Sequence, residues 1–371
     1  MNKLEKWLLI SFAAALAAVG AVWLLSRRGA EGAEVQLRTV LPGHTGRVIS
    51  LAFFPDGKTI VSAGMDDHSI HLWDAESGQL LFQIKTVPIG SVAVSPNGQK
   101  VFVGGRGGDY RLWDVSTGEL KTLVSSPQTG YTGVEFSPNG QTVAALIGSP
   151  SRSISIWDVK TGDRILTTNG ISFMYSPDGK QFASSSMDGA VKVWNAETGA
   201  LIHTLRGHGG KANLAAFSPD GKRIVSAGDD NTVKIWNADN GSLIHTLKEH
   251  RGKVRGAAYS PDGKTISSVG EYDVKIWDAE TAVQIHTINE QINFYLLHLF
   301  SPGGKYIVKS VPNAVKIWDA ATGEPLYTLR HSSEHIYRIA HSPDGSATEG
   351  TIAAADEKGE ILIWNLNDAA P

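Results

Sequence analysis

One pattern limits the fold of this chain more than any other: a tryptophan followed by aspartate or asparagine recurs eight times. Successive copies lie between 37 and 46 residues apart. A repeat of about 40 residues offers four short strands, and one such unit cannot bury both of its faces, so neighbouring units must pack against each other. The eight tryptophans are Trp73, Trp113, Trp157, Trp194, Trp236, Trp277, Trp318 and Trp364.

Two turn signals accompany each tryptophan. The first is Ser-Pro-Asp-Gly or a close variant, in which proline presets φ, aspartate bonds the local backbone and glycine accepts a positive φ. The second follows the tryptophan and ends in glycine, which supplies a left-handed residue for a hairpin. Among the first seven units, only the sixth departs, with Ala282 in place of that glycine. Alternating runs rich in β-branched residues lie between these signals and predict strands.

These features together resemble WD40 repeats of the kind with Ser-Pro-Asp-Gly turns that is common in bacterial proteins. The resemblance covers residues 35–366 and implies an all-β, eight-bladed β-propeller with four antiparallel strands per blade. The segment from Val35 to His44 resembles an outer strand without the other three, whereas the last unit stops after three strands. We therefore expect the N-terminal strand to complete the last blade and close the ring.

An uncharged apolar run occupies residues 7–25. At roughly 1.5 Å rise per residue, a helix of this length covers most of a ~30 Å hydrocarbon core, so the run predicts one transmembrane helix that acts as a signal anchor. The alternative is a cleaved signal peptide, but the apolar run is longer than such peptides require. Residues 1–6 and 367–371 then form terminal tails, and residues 26–34 form a linker.

Three features of composition limit the possible functions: the charges beside the apolar run, the overall charge and the cysteine content. Basic residues on the two sides of the apolar run nearly balance, and we expect a single-pass membrane protein with its propeller on the non-cytoplasmic side. With 34 basic and 37 acidic residues, no whole-molecule field attracts a polyanion, so we expect no nucleic-acid partner. The absence of cysteine excludes disulfides, thiolate metal sites and cysteine nucleophiles.

The resemblance also implies a hydrogen-bonded set of histidine, serine, aspartate and tryptophan in some blades. Two units contain a complete set: His44, Ser62, Asp67 and Trp73, and His208, Ser226, Asp230 and Trp236. A hydrolase triad has the same residue types, but recurrence in several units indicates a structural network that satisfies buried polar groups. In the sixth unit we pair His250 with Glu271. We therefore expect no catalytic residue, no metal site and no cofactor.

A propeller of this kind gathers the loops that enter its inner strands on one face, together with the turns between second and third strands. Basic residues in these loops predict a docking surface, with ordinary solvated charge as the alternative. An exposed aromatic residue would anchor a partner better than a charge. The candidate partner-binding residues are Arg47, Tyr110, Arg152, Lys211, Arg251, Lys253 and Arg255.

A closed repeat fold, a membrane anchor and the absence of a convergent catalytic set favour one function. We expect a non-catalytic, membrane-tethered scaffold that mediates protein–protein interactions with membrane-proximal partners. The alternative is an exported propeller enzyme or small-molecule binder that uses the central channel, similar to quinoprotein dehydrogenases or lactonases. Eight blades and turns such as Asp278-Ala279-Glu280-Thr281 motivate that alternative.

Overall fold

A computed structural model of the protein describes residues 32–86, 88–105, 109–124, 133–148, 152–288, 299–300, 306–311, 313–320, 322–332, 335–343 and 350–368. The predicted membrane helix at residues 7–25, both terminal tails except for 367–368, and most of the linker lie outside this range. Across the part of the chain that is described, no helix is long and apolar enough to cross a bilayer. This part contains 33 strands and one short 3-10 helix, Leu366–Asp368.

Two short strands come first, and the next sixteen form blades 1 to 4 in chain order. The first two are β1 (Ala33–Glu34) and β2 (Thr39–Leu41). Blade 1 contains β3 (Val48–Phe53), β4 (Thr59–Gly64), β5 (Ser69–Asp74) and β6 (Leu80–Lys85). Blade 2 contains β7 (Ile89–Val94), β8 (Lys100–Gly105), β9 (Tyr110–Asp114) and β10 (Leu120–Val124). Blade 3 contains β11 (Gly133–Phe136), β12 (Thr142–Ile147), β13 (Ser153–Asp158) and β14 (Arg164–Asn169). Blade 4 contains β15 (Ser172–Tyr175), β16 (Gln181–Ser185), β17 (Val191–Asn195) and β18 (Leu201–Leu205).

The remaining strands form blades 5 to 8. Blade 5 contains β19 (Ala212–Phe217), β20 (Arg223–Gly228), β21 (Val233–Asn237) and β22 (Leu243–Leu247). Blade 6 contains β23 (Val254–Tyr259), β24 (Thr265–Gly270), β25 (Val274–Asp278) and β26 (Gln284–Ile288). Blade 7 contains β27 (Leu299–Phe300), β28 (Tyr306–Val311), β29 (Ala314–Asp319) and β30 (Pro325–Arg330). Blade 8 contains β31 (Ile336–His341), β32 (Thr351–Asp356) and β33 (Ile361–Asn365).

Each blade is an antiparallel meander with its first strand near the ring centre. Contacts between blades are made by these first strands, as β3 contacts both β7 and β31. The fourth strands lie at the perimeter, where they carry most of the exposed large apolar side chains, including Leu81 and Leu243. The prediction of an all-β, eight-bladed propeller with four antiparallel strands per blade is confirmed.

Eight apolar clusters fill the eight junctions between blades, and each contains the repeated tryptophan of the later blade. Trp113 of blade 2, for example, packs with Val61 and Ile70 of blade 1. Trp73 of blade 1 packs in the same way with Ile363 of blade 8. One tryptophan fills each junction between blades, so the tryptophan recurs in the sequence once per blade.

Ring closure joins the two ends of the propeller sequence. Strand β2 pairs antiparallel with β33, with Val40 opposite Leu362, and so becomes the fourth strand of blade 8 as expected. Strand β1 adds an unexpected fifth strand to blade 7, because it pairs in parallel with β30. Val35, between β1 and β2, is buried in the junction of blades 7 and 8. The N-terminal segment therefore spans the outer edges of two blades.

The alternating strand direction gives the ring two different faces. In a four-stranded meander, the turn between the second and third strands lies at the same end as the connection into the first strand. We call this side the connection face. The opposite side, the turn face, carries the Pro-Asp-Gly turns and the turns that follow each tryptophan. On the turn face Ala282 adopts a φ of 60°, and its N–H donates to the Asp278 carbonyl over 3.0 Å.

Candidate functional site

A continuous chain of hydrogen bonds in blade 1 joins the four residues that the sequence groups together. The Trp73 indole Nε1 donates to Ser62 Oγ over 2.8 Å. The same oxygen lies 2.8 Å from His44 Nε2, and His44 Nδ1 lies 2.8 Å from Asp67 Oδ2. His44 belongs to the connection into β3, and Asp67 belongs to the turn between β4 and β5. The network thus ties a loop of the connection face to two strands, β4 and β5, and to the turn between them.

Blade 5 repeats this arrangement. Trp236 Nε1 donates to Ser226 Oγ over 2.8 Å, and that oxygen lies 2.8 Å from His208 Nε2. His208 Nδ1 lies 3.0 Å from Asp230 Oδ1. The backbone N–H of Gly209 also donates to Asp230 Oδ2, over 2.9 Å. The structure therefore brings together all four predicted residues in this blade too.

A third network, in blade 6, uses a different carboxylate from the one expected. His250 Nδ1 lies 2.5 Å from Asp273 Oδ1, while His250 Nε2 lies 2.6 Å from Ser268 Oγ, which accepts from Trp277. Glu271 instead accepts from Arg255 over 2.6 Å. The pairing of His250 with Glu271 was wrong because this turn has one residue fewer than that of blade 5, which brings Asp273 to the histidine.

Strand register explains which blades contain a network. In blade 1, Trp73 pairs with Ile60, and Ser62 lies two residues further along the same face. The same position holds Ser184 in blade 4, where Trp194 Nε1 donates to it over 2.9 Å without a histidine in the set. In blades 2, 3 and 8 the position is apolar, and the three indole nitrogens are buried without a hydrogen-bond partner. The three tryptophans are Trp113, Trp157 and Trp364, and the serine position of their blades is held by Val103, Ala145 and Ala354.

Burial sets the ionisation of the networks. It lowers the pKa of His44, His208 and His250 below the ordinary 6.5, although each histidine faces a carboxylate that acts in the other direction. Burial also opposes ionisation of Asp67 and Asp230, but hydrogen bonds from histidine, hydroxyl and backbone groups outweigh it, so the pKa of both carboxyls is lowered.

Neutral imidazoles beside ionised carboxylates fix the hydrogen-bond directions. Nδ1–H of the histidine donates to the carboxylate, and the serine hydroxyl donates to Nε2 while it accepts from the indole. These directions are those of a hydrolase triad. However, Ser62, Ser226 and Ser268 each have 0% of their surface exposed, and a substrate cannot reach a nucleophile that is fully buried. The networks therefore hold each blade together.

Blade 1 contains a second histidine that creates a potential metal cluster. His44, Asp67 and His71 offer ligand atoms within 4.8 Å of one another. The rings of His44 and His71 are stacked, with centroids 3.9 Å apart and planes 8° from parallel. An imidazole binds a metal in its ring plane, and one ion cannot lie in two parallel planes, so this arrangement does not fit a metal. Burial, followed by the charge of His44, lowers the pKa of His71 to about 4.

The candidate docking residues fall into two groups on the connection face. Arg47 is paired with Asp66, with Nη2 to Oδ1 at 3.2 Å, on blade 1. The other group lies at blades 3, 5 and 6 and contains Arg152, Lys211, Arg251, Lys253 and Arg255. Arg152, Arg251 and Lys253 are exposed, whereas Lys211 and Arg255 are half-buried.

Tyr110 does not belong to this surface. It is 1% exposed, and its ring stacks on Phe102 at 5.9 Å and lies 5.0 Å from Trp157 across the junction to blade 3. The expectation of an exposed anchor was wrong because Tyr110 occupies the first residue of β9, three residues before Trp113. Ile70 holds the equivalent place in blade 1 and is buried as well.

Sequence reasoning missed two exposed apolar side chains on the connection face. Met187, in the turn between β16 and β17, is 65% exposed, and Tyr272, in the turn between β24 and β25, is 63% exposed. Both precede the aspartate of the turn, at a place where blades 1 and 5 hold Asp66 and Asp229. Comparison of the turns between blades could have found them.

Glu135 is a third residue that sequence reasoning missed. It lies on β11, the innermost strand of blade 3, opposite Ala144. Burial raises the pKa of its carboxyl to about 7. Strand pairing links the repeated tryptophan to a residue on the second strand, and that residue to one on the first strand. Glu135 lies one residue before this first-strand residue. The same place holds Ala52, Ala93 and Ala216 in blades 1, 2 and 5. An alignment of the units would have shown a glutamate among alanines.

Similarity to known proteins agrees with this architecture. The family model described as "WD domain, G-beta repeat" (WD40) matches six segments that together cover more than half of the chain. These are residues 35–74, 79–114, 164–195, 199–237, 241–278 and 323–365. The first segment contains β2 of blade 8 and three strands of blade 1, so a repeat in the sequence spans two blades. The tryptophans of blades 3 and 7 lie outside the matched segments.

Individual relatives match part of their length. Periodic tryptophan protein 2 from Arabidopsis thaliana is 27% identical over 197 residues, which cover 48% of this chain and 21% of that protein. The target of rapamycin complex subunit LST8 from Bos taurus is 25% identical over 180 residues, which cover 44% of this chain and 54% of that protein. The crystal structure of the C-terminal WD40 domain of Sif2 superimposes with a TM-score of 0.77 at 17% identity, covering 92% of this chain and 99% of that one.

Proposed function

The chain belongs to the WD40-repeat family, and we propose that it is a non-catalytic scaffold that binds other proteins through its connection face while its N-terminal segment holds it at a membrane. The observation that carries the proposal is the contrast between two sets of polar residues. The serine, histidine and aspartate sets are buried within blades 1, 5 and 6. Arg251 and Lys253, together with the exposed side chains of Met187 and Tyr272, lie on the connection face, where a macromolecule can reach them.

The relatives support binding rather than catalysis. One of them is named as a subunit of the target of rapamycin complex, so that protein is part of an assembly. The matched region covers 54% of that subunit. A rigid ring with a large loop-bearing face suits recognition of a partner, because the loops are held in place before binding.

The membrane part of the proposal rests on the apolar run at residues 7–25 and on the position of β1. Gly32 and β1 lie along the outer strand of blade 7, so the chain enters the ring at its perimeter. The few residues between positions 25 and 32 can span at most roughly 25 Å. A tethered ring would thus stay close to the bilayer, and its partners would be membrane-proximal.

Site-specific photo-crosslinking tests the scaffold role. A photo-reactive residue is placed at Arg251 on the connection face and, as the control, at Lys264 on the turn face, whose side chain is 82% exposed. We expect protein adducts from position 251 in native membranes and few from position 264. Equal adduct formation at both positions would contradict the assignment of the face. A rise in melting temperature with calcium and a quinone cofactor would instead favour a small-molecule binder.

Carbonate extraction and N-terminal mass determination test the tether. The full chain should remain in the membrane pellet with its first residues intact, and deletion of residues 7–25 should release it. A mature N-terminus near Val19-Gly20-Ala21 would show a cleaved signal peptide and overturn the anchor. Protease protection in sealed vesicles then decides on which side of the membrane the propeller lies.

A further inference from the structure

Four basic side chains converge on one sector of the connection face, at blades 3, 5 and 6. The charges of Arg152, Arg255 and Lys253 all act on Lys211. The group faces two carboxylates. Asp229 forms ion pairs with Lys253 at 3.2 Å and with Arg255 at 3.4 Å. Glu271 forms one with Arg255 at 2.6 Å. We call these four basic residues the basic sector.

The basic sector holds more positive charge than its carboxylates neutralise. Four cations stand against two anions, and a third nearby carboxylate, Asp230, is turned inward to His208 and Gly209. Across the described residues, Lys211 and Arg152 make no ion pair. Burial and the neighbouring cations lower the pKa of Lys211. The Nε of Arg255 is buried without a hydrogen-bond partner. An added anion would relieve this repulsion.

The two exposed apolar side chains border the basic sector. The turn that carries Met187 reaches the loop before Lys211, since a Cβ on Gly189 would clash with the Gly210 carbonyl oxygen. The Tyr272 ring lies over Gly252, where a Cβ would meet its Cε2 at 2.9 Å. Gly252 immediately precedes Lys253. Met187, on blade 4, therefore lies near the loop of Lys211, and Tyr272, on blade 6, lies near Lys253.

From this arrangement we propose that the basic sector, with Met187 and Tyr272 beside it, binds an acidic peptide segment whose carboxylates lie between apolar side chains. The proposal rests on the scaffold function and names the chemistry of its partner. Carboxylates of the segment pair with Lys211, Lys253 and Arg152. Its apolar residues pack on Met187 and Tyr272. We expect these two contacts to supply most of the binding free energy, because charged residues at the edge of an interface mainly affect the association rate and the specificity.

A short acidic segment fits better than an extended polyanion such as DNA. Asp229 and Glu271 lie within the sector as ion-pair partners of its cations, and the neighbouring Arg206–Asp188 pair at 3.8 Å carries no net charge. The excess positive charge is therefore confined to a small area, whereas a polyanion needs cations along its length. The whole chain also has a net charge of −3. A nucleic acid gains affinity from many phosphate contacts along its length, and this surface offers too few cations in line for that.

Binding of a synthetic peptide to the full chain tests the proposal. The probe is a fluorescent peptide with a run of glutamates between a leucine and a tryptophan, and the control peptide has glutamine in place of each glutamate. We expect the acidic peptide to bind, with an affinity that falls as salt increases, and the glutamine peptide to bind at least about tenfold more weakly. The Lys211→Glu, Lys253→Glu double variant should weaken acidic-peptide binding by about tenfold or more.

Matched variants separate the possible outcomes. Lys264→Glu makes the same charge change on the turn face of blade 6 and should leave binding unchanged. Met187→Ala and Tyr272→Ala should each weaken binding by several-fold with little change in the salt dependence. If the charge-reversal variant binds the peptide as well as the wild type, or if duplex DNA competes as well as the peptide, the inference is wrong. Crosslinks from position 251 to another protein would still support the scaffold function in that case.

Discussion

Blades 3 and 5 have the same strand pattern but treat their repeated tryptophan in opposite ways. In blade 5 the Trp236 indole nitrogen donates to Ser226, and the hydrogen-bond chain continues to Asp230. In blade 3 the Trp157 nitrogen is buried without a partner, and burial raises the pKa of the Glu135 carboxyl, whose charge acts on Tyr175 of blade 4. Both blades fold, so apolar packing of the tryptophan is sufficient for the architecture. The polar network adds local stability and positions the loop that carries Lys211.

The largest expected effect comes from removal of the shared hydroxyl in blade 5. Ser226→Ala leaves the indole donor of Trp236 unpaired and removes the partner of His208, so we expect a loss of about 3 kcal/mol in the free energy of unfolding. Chemical denaturation measures it. The control is Ser155→Ala in blade 3, where a single 2.8 Å bond to Thr167 is lost and about 1 kcal/mol is expected. Equal losses would show that the network adds nothing beyond one hydrogen bond.

The next effect comes from Glu135 in blade 3. A pKa raised from 4.5 to about 7 corresponds to roughly 3 kcal/mol, which partial exposure of the side chain reduces to about 2. Because the folded-state pKa lies above the unfolded value, stability is lost as pH rises from about 4.5 through about 7. Glu135→Gln should therefore stabilise the protein by about 2 kcal/mol at pH near 8 and by little at pH near 5. Glu197→Gln, at an exposed turn position, should show no such pH dependence.

Over the same pH range, the stability of blades 1, 5 and 6, which contain the histidine networks, should change in the opposite direction. His44, His208 and His250 have folded-state pKa values below 6.5, so the unfolded chain binds more protons and stability is lost as pH falls below about 6.5. Protection factors from amide hydrogen exchange, corrected for the intrinsic rate, should fall in blades 1, 5 and 6 between pH near 7 and pH near 5. Those of β11 should rise. Parallel trends in both regions would contradict the assignment of charge states.

A smaller effect is expected when blade 3 is given the hydrogen bond between indole and serine that blade 5 has. Ala145 lies two residues beyond Val143, the strand partner of Trp157, at the position of Ser226. Ala145→Ser should give the indole an acceptor and stabilise the protein by about 1 kcal/mol. In a Trp157→Phe background the added hydroxyl has no donor, so the same substitution should be neutral or unfavourable. A double-mutant cycle measures the difference, and a coupling near zero would mean that the hydroxyl does not reach the indole.

The smallest expected effect concerns the turn face of blade 6. Ala282 adopts a left-handed conformation that glycine occupies without strain at Gly241 of blade 5. Ala282→Gly should raise the free energy of unfolding by about 0.5 kcal/mol, since relief of strain exceeds the added chain entropy only slightly. Ala196→Gly, in the same turn of blade 4 but without a positive φ, should destabilise. Loss of stability in both variants would mean that packing of the Ala282 methyl group outweighs its strain.

Much of the site could be located by counting from the tryptophan. The buried place of Tyr110 follows from its position three residues before Trp113 on the same strand. The serine of each network lies on the preceding strand, 9 to 11 residues before the tryptophan, and this separation changes with the length of the turn between the two strands. Asp273 was harder to assign, because one residue fewer in its turn changes which side chain reaches the histidine. The exposed fractions of Met187 and Tyr272, and the approach of Arg152 to Lys211, involve different blades and depend on how these pack.

The sequence by itself determined the number of blades, the strand order and the closure by an N-terminal strand. The physical reason is that turns and strand periodicity are local, and a tryptophan at every junction repeats with them. Only the tertiary structure decided that each tryptophan joins two blades, that β1 extends blade 7, and that four cations from three blades meet with few counter-charges. Those properties arise between units, where residues far apart in the chain come together as the ring closes.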